Sequence, residues 1–165
     1  MAVDPSQVRG EDAKYNQGIG DQDILFASAA RIRRLSEKVL RDLEVPLTFR
    51  QYRTLARVSA GYTSMSQLAA RANLTMATVS ESVDALVRRG LMESRPSPTD
   101  GRALLLTVTP EGVAAAKAGD IALEDLQAEL TNGLAPNTRN ELDASLRIIY
   151  QAATSIFAKL YPPKK

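Results

Sequence analysis

Stop and start signals crowd residues 64–112 so closely that they leave few ways to fold. Ser64 precedes Gln67 by three residues, Thr75 opens a second periodic run, Gly90 closes it, and Thr109-Pro110-Glu111 opens a third. A hydroxyl three residues ahead of Gln fits a reciprocal capping box, which satisfies two otherwise orphaned amides. Hydroxyl, proline and acid in that order form a strong helix start. These signals predict a short helix from Ser64 to about Ala72, a turn at Asn73-Leu74, and a helix from Thr75 to Arg89. Leu91–Ser94 and Ala103–Val108 then read as strands, because Pro96, Pro98 and Gly101 between them forbid a helix and mark a loop. The expected order is helix, turn, helix, two-stranded hairpin.

Longer helices flank this unit. Residues 1–20 are polar and read as a mobile arm, or at most one short helix. From Asp21 to Leu43, with Asp21 or Asp23 as cap, Ile32, Leu35, Val39 and Leu43 lie on one stripe, and Pro46 ends the helix. Thr48 with Gln51 fits another capping box, for a helix through about Ser59 with Tyr52, Leu55 and Val58 inside and Gly61 as its stop. The helix opened by Thr109 reaches about Leu130, Asn132-Gly133 breaks the chain, and a last helix begins near Pro136. Its Leu142, Leu146, Ile149, Ala153, Ile156 and Leu160 follow alternating steps of four and three, the spacing of a heptad seam. Two readings fit that seam: packing within the chain, or a dimer interface. The dimer is favoured, because the other elements already enclose the small central unit. The division is therefore 1–20 arm, 21–46 dimerisation helix, 47–110 central domain and 111–165 dimerisation helices. The fold class is mainly α with a small β-wing.

Composition excludes much chemistry. The 165 residues include no cysteine and no histidine, which removes disulfides, thiolate nucleophiles, the commonest transition-metal ligand and the usual general base. No nucleophile–base pair or phosphate loop stands out, and acid pairs such as Glu124-Asp125 read as solvated helix surface. No enzyme, metal or cofactor is expected. No apolar run approaches the roughly 20 residues of a membrane span, and the N-terminus lacks a secretory pattern. A cytoplasmic protein is the expectation.

Charge is unevenly spread. Residues 48–110 hold eight Lys/Arg against four Asp/Glu, and all eight cations are arginine. Both flanking segments are slightly acidic. Arginine suits bidentate contacts to phosphate and guanine edges. The Thr75–Arg89 helix, with Val79, Val83, Leu86 and Val87 expected inside, turns Ala77, Thr78, Glu81, Asp84, Ala85 and Arg88 outward. The N-terminal part of such a face enters the major groove in helix-turn-helix proteins. There stand Thr75, Ala77 and Thr78, with Ser80 at the flank. Their hydroxyls can read base edges, and their small size permits close approach. The hairpin loop Arg95-Pro96-Ser97-Pro98-Thr99-Asp100-Gly101-Arg102 is stiffened by proline. Arg102 at its tip suits a narrow, electronegative minor groove, with Asp100 orienting it.

The stretch LTFRQYRTL … MSQLAARANLTMATVSESVDALVRRGLMESRPSPTDGRALLLTVTPEG resembles the MarR family of bacterial transcription regulators. The resemblance is densest at Leu68-Ala69, Thr78-Val79-Ser80, Gly90-Leu91 and Pro98-Thr99-Asp100-Gly101-Arg102. It implies a homodimer built from the first and last helices, two winged helix-turn-helix lobes, and pseudo-palindromic double-stranded DNA as partner. It places major-groove contacts on Thr75, Ala77, Thr78 and Ser80, and a minor-groove arginine at Arg102 supported by Asp100. The full expected DNA-binding set adds Ser64, Glu81 and Arg95. Such regulators are usually repressors, released by a small phenolic or anionic ligand between the dimer helices and the DNA-binding lobe. The expected lining is Phe26, Ala30, Arg33, Tyr52 and Leu55, although Arg33 also reads as half of a surface ion pair. Glu81 stands where the family often has an arginine, and Ser94 where a basic residue is frequent. Glu81 therefore keeps open a second reading, a winged-helix protein-interaction module or a regulator that senses no small molecule.

Overall fold

A computed structural model describes residues 21–97 and 104–161. Its elements are α1 (Asp21–Arg41), α2 (Phe49–Ser59), α3 (Met65–Ala72), α4 (Met76–Arg88), β1 (Met92–Pro96), β2 (Leu104–Val108), α5 (Pro110–Leu130) and α6 (Pro136–Leu160). Both expected capping boxes form: Thr48 and Gln51 at α2, and Ser64 and Gln67 at α3, exchange side chain-to-amide hydrogen bonds. Asn73 ends α3 at φ +52°, a left-handed conformation that asparagine tolerates. This reverses the chain within two residues and lets Thr75 cap α4, its hydroxyl accepting from the Thr78 amide.

β1 and β2 pair antiparallel, Met92 opposite Val108 through Pro96 opposite Leu104. The first strand runs two residues beyond the expected Ser94. Proline fits there because a two-stranded sheet has free edges on which no amide is required. The α2–α3 linker also joins this hairpin, as the Leu106 amide donates to the Thr63 carbonyl at 2.8 Å.

One core unites the C-terminal part of α1, α2, α3, α4, the hairpin and α5. Its fully buried side chains include Leu40, Leu47, Leu55, Leu68, Leu86, Met92 and Leu106. Two glycines let α5 come close. A Cβ on Gly112 would stand 2.0 Å from the Leu91 carbonyl oxygen, and one on Gly119 would stand 2.8 Å from the Tyr52 ring. No real Cβ survives at the first distance, so Gly112 follows from the approach of α5 to the end of α4.

The two flanking helices differ from an ordinary core helix. Of α1, Ser36 and Leu40 are buried, whereas the stripe members Ile32 and Leu35 are exposed. α6 buries none of its 25 residues against its own chain. Leu142, Leu146, Ile149, Ile156 and Leu160 are exposed, as is Ala153. Among the described residues, nothing packs on the α6 stripe closely enough to bury it. Among the described residues no helix is long and apolar enough to cross a membrane.

Candidate nucleic-acid interface

α4 is a helix with one committed face. Val79, Ser82, Val83 and Leu86 are buried, the i, i+3, i+4, i+7 pattern of a core-facing stripe. This corrects one expectation: Val87 is exposed, and Ser82 takes the buried place. At about 100° per residue Val87 falls about 90° from the centre of the stripe, and Ser82 about 50° from it on the opposite edge.

The opposite face opens to solvent. Thr75, Met76, Ala77 and Glu81 are exposed, and Thr78 and Ser80 are half-buried. The Thr75 and Thr78 hydroxyls lie 2.9 Å apart, and the Ser80 hydroxyl donates to the Asp84 carboxylate at 3.3 Å. Thr75 is thus cap and surface hydroxyl together, at the positive end of α4. That end favours anionic groups such as phosphate oxygens. Ser64 holds the equivalent place on α3, where its hydroxyl accepts from the Gln67 amide and lies 3.2 Å from the Ser66 hydroxyl.

Arg95, expected in the loop, stands in β1 and pairs with Glu93 at 2.7 Å, both side chains exposed. An exposed pair of this kind adds little stability. Asp100 and Arg102 lie outside the described residues. β1 and β2 nonetheless bracket them, since Ser97 follows one strand and Leu104 opens the other.

Four long-range hydrogen bonds that orient this face have no local signal in the sequence. Thr54 and Ser82, 28 residues apart, bring their buried hydroxyls within 3.2 Å. Arg89 caps the Pro46 carbonyl at 2.7 Å and reaches Gln51 at 3.3 Å. The Tyr52 hydroxyl donates to Asp120 at 2.6 Å, tying α2 to α5. Burial, then that bond and the Asp120 charge, push the Tyr52 pKa up to about 12. Nothing local pairs these residues, and only the fold brings each to its mate.

The candidate ligand residues separate by environment. Leu55 is fully buried in the core, and Tyr52 is committed to Asp120. Arg33 is exposed and paired with Glu37 at 3.1 Å, one turn along α1. Phe26 and Ala30 are exposed on the same helix. A second basic group lies elsewhere, where Arg71 stacks over the Tyr62 ring at 5.9 Å. Hydrogen bonds to the Tyr62 and Tyr150 hydroxyls raise the Arg71 pKa further. The Arg57 pKa is lowered by burial and then by its neighbours Arg53 and Arg71. Tyr150 belongs to α6.

Solved structures share this architecture. MarR from E. coli superposes with a TM-score of 0.68 at 23% identity, over 81% of this chain and 98% of that one. FabT from Streptococcus pneumoniae, solved in complex with DNA, gives 0.73 at 18% identity, over 82% and 96%. PcaV from Streptomyces coelicolor, solved with its natural ligand, gives 0.66 at 21% identity, over 93% and 99%. No curated protein matches the chain. Residues 45–103 match the MarR family, and that segment spans α2, α3, α4 and β1, the elements that build the exposed hydroxyl face. Residues 45–103 thus match the MarR family, and the described residues share the fold of MarR.

Proposed function

We propose that this protein is a homodimeric, sequence-specific DNA-binding repressor that a small ligand releases from its operator. The observation that carries the reading is the face of α4. A capped helix end with Thr75, Ala77 and Thr78 outward, on a helix fixed to the core by its other side, is what a major-groove reader requires. FabT in complex with DNA supports it by shared fold. The dimer rests on the unpartnered stripes of α1 and α6, with residues 21–46 and 111–165 as the dimerisation segments and 47–110 as the DNA-binding domain. A two-fold pair of α4 helices would sit about 34 Å apart, one turn of duplex. Ligand release is supported by the fold shared with PcaV, solved with its natural ligand. A phenolic or anionic ligand is the class proposed, and the cytoplasm is the proposed compartment.

Glu81 favours one variant of this reading. An exposed carboxylate on the reading face repels phosphate but accepts from cytosine N4. It lowers general affinity and sharpens sequence choice. Without specific binding, the same surface would instead serve as a protein-interaction module.

A fluorescence-anisotropy titration against DNA from the gene's own promoter region tests the reading. Specific binding with a steep negative salt dependence is expected. Arg102→Ala is expected to weaken binding to all duplexes and to flatten the salt slope by about one unit. Wild-type affinity and slope in that variant would remove the wing from the interface.

A further inference from the structure

Ser82 is an odd choice for its position. It stands in the middle of α4, 6% exposed, among Val79, Val83 and Leu86. Alanine would serve the helix better and bury no polar atom. Its hydroxyl lies 3.2 Å from that of Thr54, also 6% exposed, on α2. Thr54 in turn bonds the Arg50 carbonyl at 2.9 Å. A carbonyl can only accept, so the Thr54 proton points to Arg50, and Ser82 must donate to Thr54. The result is a directed chain from Ser82 through Thr54 to the backbone of α2.

We propose that this buried Ser82–Thr54 hydroxyl pair is a specificity device, fixing the rotation of α4 about its own axis and thereby which side chains reach base edges. The inference rests on the DNA-binding reading above. Apolar contacts hold α4 against the core but are non-directional. A hydrogen bond has a narrow range of distance and angle. The magnitudes show why this matters. Side-chain tips lie about 5–6 Å from a helix axis, so a 20° roll moves them about 2 Å. Base-edge hydrogen bonds tolerate only a few tenths of an ångström. Val79, Val83 and Leu86 could accommodate such a roll by small rotamer adjustments. Thr75, Ala77 and Thr78 could not, if they are to keep their partners. Phosphate contacts, longer-ranged and less directional, would survive it.

The direction of the chain also predicts an asymmetry. Ser82→Ala leaves Thr54 still donating to Arg50, so no buried donor is orphaned. Thr54→Val strands the Ser82 proton in an apolar interface and is the more destabilising change. Ser82→Ala is therefore the clean probe, and Thr54→Ser, which keeps the hydroxyl, is the rescue control.

The test uses the full chain and two duplexes: one selected by the wild-type protein from a random-sequence library, and one of scrambled order and equal composition. Ser82→Ala is expected to unfold within a few degrees of wild type and to bind the scrambled duplex equally well. Its preference for the selected duplex is expected to fall about tenfold or more, and Thr54→Ser is expected to retain the preference. If Ser82→Ala discriminates as well as wild type, the pair is merely structural and the inference is overturned. If the wild-type protein selects no duplex at all, the DNA-binding reading fails, and this inference with it.

Discussion

Gly112→Ala is expected to destabilise the protein by about 3 kcal/mol or more, toward the severe end for a single methyl group. The added Cβ would lie 2.0 Å from the Leu91 oxygen and 2.7 Å from Val108 Cγ1. The first contact is with backbone, which cannot swing aside as a side chain does. Relief requires the first turn of α5 to move, and two hydrogen bonds anchor that turn. The Thr109 hydroxyl donates to the Gly90 carbonyl at 2.7 Å, and the Thr109 amide donates to Leu91 at 3.2 Å. For a chain of this size such a loss lowers the thermal midpoint by roughly 6–12 °C. Gly119→Ala meets a ring edge at 2.8 Å and a leucine methyl at 3.2 Å, which can yield, and is expected to be milder, about 1–2 kcal/mol. Gly133→Ala meets nothing within 4 Å and serves as the control. Chemical denaturation of the three variants should rank them in that order. Equal midpoints for Gly112→Ala and Gly133→Ala would mean that α5 does not approach Leu91 so closely.

Ile149→Glu is expected to convert the proposed dimer to a monomer without unfolding the chain. Ile149 is 42% exposed on a helix that buries nothing against its own core. A charge there does little to an isolated protomer. At the centre of a dimer seam it would lie unpaired in an apolar interface, which is strongly unfavourable. Light scattering at micromolar concentration should report half the wild-type mass, and circular dichroism should report unchanged helix content. Binding to a two-fold operator is expected to drop about 10²–10⁴-fold, because the second reading head no longer acts at the high effective concentration set by the first. A variant that kept the wild-type mass would displace the dimer interface from this stripe.

Much of this fold was legible because its signals are local. A capping hydroxyl and its target amide lie three residues apart, so Thr48, Ser64, Thr75 and Thr109 mark their helices wherever the chain goes. Prolines and glycines bounded the hairpin for the same reason, with Pro96 drawn into β1 only by a free sheet edge. The Val87 expectation failed because apolar character alone cannot place a residue at the rim of a stripe. The hydroxyl face of α4 could be drawn from periodicity, but not what holds it at its angle.

By itself, the order of residues determined where each helix starts and stops, which face of α4 is small and polar, and that α6 carries an apolar seam. Tertiary structure alone decided that no described residue buries this seam, that Ser82 meets Thr54, that Tyr52 meets Asp120, and that Gly112 must be bare. The physical reason is range. Caps, turns and periodicity act over three or four residues, whereas these contacts join positions 21 to 68 residues apart, and only packing of the whole core brings them together.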